Sequence, residues 1–319
     1  MPASPRPIYT DPDKRRGLDE LAAMVPNGAT VAIGGGLSSR APMALLRAIL
    51  RRGIKGLTAV GSAHGIDIDL LCAGGALVRS MESYVGFEQD FGLAPNFRRA
   101  CESGAVEASD SCCYTLVQQL RAAIEGLPFM PIRSVRGTDF VALHPEYKVM
   151  TCPFTGDELL LAPAIEPDVA LIHAQFGDAA GNLLIQGPPV ADILFAKASK
   201  AVVATVEQII PPSELRSLPG KNVPYFYVAA LAEVPMGAHP TACYPFHAYD
   251  RAHMSLYHHA ARQGPAAFKA HYLDLYVHGA STHEAYLDLI GGETICTRLQ
   301  SWRDGEEAWM RLYDEEAQA

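Results

Sequence analysis

The chain has 319 residues, 49% of them apolar, and its acidic residues outnumber the basic ones 35 to 26. That length supports one large domain or two modest ones around a buried core, with no need for disulfide staples. A formal charge of −9 argues against non-specific nucleic-acid binding, which depends on basic patches that displace counterions from phosphates.

The seven cysteines include no CxxC spacing, and Cys112 and Cys113 are adjacent, a spacing that strains a bridge. The pattern reads as reduced thiols in a cytoplasmic protein, with the vicinal pair as small core residues. Residues 1–16 are polar and rich in proline, without the apolar stretch of a signal peptide. The longest apolar run, residues 225–232, falls well short of the ~20 residues that span a bilayer, so a soluble chain without a membrane segment is expected.

Along the chain, short β-rich runs alternate with amphipathic stretches. Residues 30–33 (Thr-Val-Ala-Ile) predict a strand that runs into Gly34-Gly35-Gly36, and Pro42 then opens a helix whose Leu45, Leu46, Ile49 and Leu50 form an apolar stripe. Residues 57–60 and 77–85 predict strands, with a short helix over 66–72 between them. Helices follow over 97–101 and 115–124, the second carrying Leu116, Leu120 and Ile124 at i, i+4 and i+8. Further strands are expected at 148–152, 159–162, 169–173, 201–206 and 226–230. Near-continuous apolar strands alternating with helices imply an α/β fold, a mostly parallel sheet covered by helices on both faces. From residue 248 the pattern becomes helical, over 251–262, 266–277, 283–289 and 293–313, with Gln263-Gly264-Pro265 and Gly291-Gly292 as breaks. The expected organisation is a polar extension over 1–17, an α/β domain over 18–247, and a helical appendix over 248–319 packed on the same domain.

Three glycines between a strand and a helix let backbone N–H groups approach an anion, although the triplet alone is equally consistent with a plain tight turn. It is neither a dinucleotide fingerprint nor a Walker loop. Asp139 and Asp178 sit in Gly-containing turns, where an Asx-turn competes with any role in a site, as it does for Asn182. Arg40 and Arg133 offer guanidinium forks suited to phosphate or carboxylate, against the commoner solvated or salt-bridged arginine. Eight histidines crowd the tail, from His239 to His283, without HExxH or paired Cys/His spacing. They read as polar faces of helices, with no metal site expected. Phe91, Trp302 and Trp309 read as packing residues.

The run Asn27-Gly28-Ala29-Thr30-Val31-Ala32-Ile33-Gly34-Gly35, followed by Pro42, resembles the A-subunit signature of class I coenzyme A transferases. That signature has phenylalanine where Gly36 stands and glycine where Arg40 stands. The arginine resembles the branch of glutaconate CoA-transferase-like and steroid-ring-degrading hydrolase-like A subunits. The stretch from Gly126-Leu127-Pro128 to Arg133 with Gly137-Thr138-Asp139 resembles the central loop of these subunits, and Asp178-Ala179-Ala180-Gly181-Asn182 resembles their Asp-x-x-Gly-Asn turn. Gly237-Ala238-His239-Pro240 matches a further segment.

The resemblance implies a transferase in which an acyl-CoA thioester is attacked by a glutamate that a partner B (beta) subunit carries. Coenzyme A serves as substrate, a free carboxylate is the second substrate, and no cofactor is bound permanently. It implies that Gly34, Gly35, Gly36, Arg40, Arg133, Gly137, Thr138, Asp139 and Asn182 bind substrate or CoA, the acyl group being dicarboxylic or a ring-degradation intermediate. Glu102, in Glu102-Ser103-Gly104, superficially resembles the B-subunit nucleophile motif, but a solvated carboxylate at a helix end is the stronger reading. A ring-opening hydrolase is the alternative. Similar hydrolases carry an A-subunit glutamate just after a run like Ser103-Gly104-Ala105-Val106-Glu107-Ala108, and here that position falls near Cys113, which favours the transferase. A sugar-phosphate-binding module is a third reading, disfavoured by the lack of a basic phosphate cluster.

Overall fold

The computed structural model describes residues 6–304. Its strands are β1 (Thr30–Ile33), β2 (Leu57–His64), β3 (Leu77–Val85), β4 (Glu107–Ala108), β5 (Phe129–Ile132), β6 (Lys148–Thr151), β7 (Glu158–Pro163), β8 (Val169–Gly177), β9 (Leu183–Ile185), β10 (Ala201–Ile209), β11 (Lys221–Val223) and β12 (Val228–Glu233). Seven of these pair in parallel, in the order β12-β10-β8-β1-β2-β3-β4. β9 and β11 add an antiparallel annex at the far end of β8.

Side chains alternate between the faces of this sheet, as a pleated strand requires. Val31, Ile33, Ala59, Leu171 and Val203 enter one core, covered by the helices Met43–Arg51, Ile66–Ala73 and Arg251–Arg262. Ala32, Val60, Ile172, Ala204 and Val206 enter the other, with Leu116 and Leu120 of Cys113–Ile124 and Phe195 of Asp192–Ala198. The α/β architecture read from the sequence is therefore the observed one. The order reverses at β1, whose neighbours are β2 on one side and β8 on the other. In open parallel sheets such a reversal opens a crevice at the carboxyl ends of the strands, and β1 ends there in the three glycines.

Several boundaries differ from expectation. Residues 126–133, expected as loop, include β5, which joins β7 and β6 in a separate antiparallel sheet with a small core of Ile132, Tyr147, Leu160 and Ala162. The expected strand at 226–230 starts as a 3-10 turn, Tyr225–Tyr227, before β12. The expected helix over 266–277 is a short α-turn, Pro265–Phe268, followed by a π-helix, Lys269–His278. The last helix, Gly292–Gln300, passes into a 3-10 turn at Ser301–Asp304, and the remainder of the expected 293–313 helix, with Trp309, lies outside the described residues. Residues 6–17 run against the sheet domain: Lys14 is buried and its ammonium donates to the carbonyls of Tyr9 (2.9 Å) and Tyr225 (2.6 Å). No helix among the described residues is long and apolar enough to cross a membrane.

Candidate active site at the glycine loop

β1 is rich in β-branched residues and buried from Val31 to Ile33, so its end is fixed in space, and the chain reverses over residues 34–40. Gly35 takes a left-handed φ of 76°, and a Cβ there would lie 2.5 Å from the carbonyl oxygens of both Ser39 and Arg40. A Cβ on Gly34 would lie 2.6 Å from Oδ1 of Asp192. The glycines do admit an anion, as the sequence suggested, but it is an internal one. The Asp192 carboxylate accepts the Gly35 N–H at 3.1 Å and receives the Arg40 guanidinium in a fork, at 3.1 and 3.0 Å. Arg40 also donates to the carbonyls of Pro188 (2.9 Å) and His173 (3.3 Å), and its side chain is only 2% exposed.

Arg40 is thus an internal strut, and the expectation that it anchors CoA phosphate or a substrate carboxylate is corrected: its donors are spent on Asp192 and two carbonyls. The glycine amides are also turned inward. Gly34 N–H donates to Leu171, Gly36 to Ser39, and Leu37 to Ala63. Ser38, at the tip of the loop, is exposed and lines the cleft described below; the sequence reading missed it.

The other expected site residues stand elsewhere. Arg133 is 63% exposed and pairs with Asp157. Gly137, Thr138 and Asp139 form an exposed turn between β5 and β6, in which the Thr138 hydroxyl donates to Val135. Asn182 and Asp178 close the β8–β9 turn on each other: Asp178 accepts the Asn182 backbone N–H (3.0 Å) and its amide (2.7 Å), as an Asx-type turn does. Among the described residues no hydrogen bond ties these groups to the glycine loop. Glu102 lies at the exposed end of Pro95–Glu102, paired with Arg98 at 2.7 Å. Cys113 is exposed at the start of its helix, not a core residue, and all seven cysteines are free.

Beside the loop lies a cleft of about 270 Å³ lined by Leu37, Ser38, Phe87, Glu88, Asp90 and Met254 among others. Leu37 (φ 48°) and Glu88 (φ 50°) face it from left-handed backbone conformations that non-glycine residues seldom adopt. The cleft's two walls are tied to the end of β2, because Ala63 accepts the Leu37 N–H and His64 accepts the Gly86 N–H. Beneath them His64 and Asp67 are in contact, and the His64 Nε2 is 3.9 Å from Glu82. Gly61 makes room for this group, since a Cβ there would lie 2.4–2.5 Å from the Glu82 oxygens and from His64 Nε2. Burial opposes the His64 imidazolium, but the charges of Asp67 and Glu82 prevail and hold its pKa at about 9. Glu82 is buried with neither oxygen hydrogen-bonded, and burial pushes its pKa up to about 8 despite the pull of His64.

Four tail histidines are buried behind the loop, which corrects their reading as polar helix faces. His247 joins His173 on the Glu207 carboxylate (3.2 and 2.9 Å), while His239 bridges Tyr286 (2.7 Å) and Asp250 (2.9 Å). His253 donates to or accepts from Tyr272 at 2.9 Å, and His283 meets the Pro235 carbonyl at 2.7 Å. Burial works against the Glu207 charge, but hydrogen bonds from His173 and His247 hold its carboxyl well below the usual range. Gly237 leaves room for the His173 ring, 2.8 Å from where a Cβ would be. His173, Glu207 and Cys243 bring donor atoms within 4.8 Å of one another and could hold a metal ion. Both His173 ring nitrogens are already hydrogen-bonded, however, to Thr205 and Glu207, and burial pushes the Cys243 thiol well up.

Residues 16–233 match the family model described as Coenzyme A transferase. The chain belongs to the coenzyme A transferase family. It is 31% identical to the A subunit of glutaconate CoA-transferase from Acidaminococcus fermentans over 86% of this chain and 90% of that one. The crystal structure of glutaconate coenzyme A-transferase from the same organism superposes with a TM-score of 0.84, at 29% identity, covering 90% of this chain and 95% of its counterpart. The cholesterol ring-cleaving hydrolase IpdA subunit of Mycobacterium tuberculosis is 36% identical over 78% of this chain and 89% of its own length. A further relative, an uncharacterized protein of Archaeoglobus fulgidus, is 33% identical over 90% of this chain, which spans 64% of its length. The family resemblance read from the sequence is therefore correct.

Proposed function

We propose that this chain is the A subunit of an acyl-CoA:carboxylate CoA-transferase whose nucleophilic glutamate is carried by a partner B subunit. The observation that carries the reading is the close likeness, over nearly the whole chain, to the A subunit of a CoA-transferase. It agrees with the placement of Glu102 on an exposed helix end, paired with Arg98.

In this scheme the partner's carboxylate attacks the thioester carbonyl, the C–S bond breaks, and an acyl-glutamyl anhydride and CoA thiolate result. The thiolate then attacks the glutamyl carbonyl, releasing the first acid and leaving an enzyme–CoA thioester. A second carboxylate reverses both steps and departs as the new acyl-CoA. Both intermediates, the anhydride and the glutamyl–CoA thioester, are activated toward hydrolysis, so water must be kept out. This chain's share is a rigid wall of the site: the Ser38 N–H and hydroxyl at the loop tip, and the apolar surface of Leu37 and Phe87. The acyl group expected from the sequence is dicarboxylic or a ring-degradation intermediate, and in neither case is Arg40, held by Asp192, the group that recognises it.

The test is CoA exchange between an acyl-CoA and a free acid, with and without the co-expressed partner, followed by intact mass of both proteins. We expect turnover only for the pair, and a CoA adduct on the partner. Robust turnover by this chain alone would refute the reading. The 36% identity to part of a ring-cleaving hydrolase supports hydrolysis as the second reading. In that case product forms in water without any acceptor acid.

A further inference from the structure

The cleft beside the glycine loop has two kinds of wall. Its floor is apolar, with Phe87 8% and Met254 3% exposed, and Leu37 closes one side. Its rim carries two carboxylates, Glu88 and Asp90. Asp90 has a cation nearby, Arg251 at 3.6 Å. Glu88 has no ion-pair partner among the described residues, and no lysine or arginine lines the cleft. The nearest arginine on the glycine loop, Arg40, is spent on Asp192. An acyl chain entering here would lose water from its methylenes against Phe87 and Met254, which is favourable. A carboxylate at its far end would meet Glu88 instead, and like charges brought together in a partly desolvated cleft repel strongly.

We infer that this cleft receives an acyl group whose far end bears no carboxylate, and that Glu88 is the residue that sets this selection. The inference rests on the reading that the cleft is this chain's part of the acyl site. It extends that reading by naming the charge class of the acyl group. The reacting carboxylate lies at the other end of the acid, at the partner's glutamate, so the selection concerns only the distal end. The backbone of Glu88 is held near the end of β3: it stands three residues after Val85, at the start of the helical turn Glu88–Phe91, and its N–H donates to the Tyr84 hydroxyl at 3.3 Å.

The experiment uses the complex with its co-expressed partner, acetate as acceptor, and a matched pair of donors, pentanoyl-CoA and glutaryl-CoA. The wild type should favour pentanoyl-CoA in kcat/KM by about tenfold or more. Glu88→Gln should shrink that ratio severalfold, and Glu88→Lys should invert it. The wild-type preference should also weaken as salt is raised, because a partly exposed charge is screened. A wild type that favours glutaryl-CoA, or a Glu88→Gln complex with an unchanged ratio, would overturn the inference. If neither donor is turned over, the functional reading has failed and titration calorimetry of the two thioesters decides the inference separately. Tighter binding of pentanoyl-CoA, relaxed in Glu88→Gln, supports it, whereas equal or reversed affinities, or no binding of either, overturn it.

Discussion

Replacing Arg40 by methionine separates a buried strut from a ligand anchor. In the folded chain the guanidinium makes four hydrogen bonds, two of them to an Asp192 carboxylate that is 0% exposed. Methionine fills much of the volume but leaves Asp192 with only the Gly35 N–H, at 3.1 Å, as its remaining polar partner in this set. Breaking one side of a buried ion pair costs about 3–5 kcal/mol. For a chain of this size each kcal/mol moves Tm by about 2 °C, so Tm should fall by roughly 6–10 °C, read by calorimetry on the assembled complex. The double change Arg40→Met with Asp192→Leu removes both charges and should recover part of the loss. Recovery stays incomplete because the Gly35 N–H is orphaned, at about 1–3 kcal/mol. The activity remaining in Arg40→Met should fall equally on acyl-CoA donors with and without a distal carboxylate. A Tm within about 1 °C of wild type, together with a KM rise confined to dicarboxylic donors, would refute the strut and restore the anchor.

The buried Glu82 should give the chain an alkaline weakness. Its folded pKa of about 8 lies above the ordinary value, so its contribution is present at low pH and lost as pH rises through about 8. Between about pH 6.5 and 9.5 wild type should lose about 2 kcal/mol that Glu82→Gln keeps, measured by denaturant unfolding at each pH; parallel profiles would show that Glu82 is ionised throughout. Gly35→Ala should cost about 2–4 kcal/mol, because the new Cβ meets two backbone carbonyls in a left-handed turn. Unfolding midpoints would show it, and an unchanged midpoint would mean that the loop can open without penalty.

The fold was legible because its signals are local. The β-branched run at 30–33 ends in glycines, Leu116, Leu120 and Ile124 repeat at helical spacing, and the strands read as continuous apolar stretches. The small sheet escaped because Phe129–Ile132 contains Pro131 and has exposed positions, so neither strict alternation nor a buried run marks it. At the site, the sequence found the glycine loop and misjudged what it faces. Arg40 and Asp192 are 152 positions apart, and no local pattern joins them. Glu82 did leave a trace, as a lone acid within an otherwise strand-like run from Leu77 to Val85. Glu88 and Ser38 left none, since an exposed acid or serine in a turn looks the same whether or not a cleft lies beside it.

The internal acids connect these findings. Asp67, Asp69, Glu82, Asp178, Asp192, Glu207 and Asp250 are all buried, so part of the net charge of −9 is spent inside the chain. All but Glu82 hold a named partner: His64, Tyr257, Asn182, Arg40, His173 and His239 in turn. A buried carboxylate with a fitted partner fixes two segments against each other, because moving either would leave a charge or donor unsatisfied in a low-dielectric interior. Two of the pairs stand directly behind the glycine loop: Asp192 with Arg40, and Glu207 with His173, whose carbonyl also accepts from Arg40. The loop therefore has little freedom to adjust when a ligand arrives. If the cleft is the acyl site proposed above, discrimination among acyl groups falls to the side chains that line it. Of the acids around this site, Glu88 is the one on the rim without an ion-pair partner among the described residues, and Glu82 is the one in the interior without a hydrogen bond. A rigid frame of paired acids with one unpaired acid facing the cleft is the arrangement expected of a site that selects by charge.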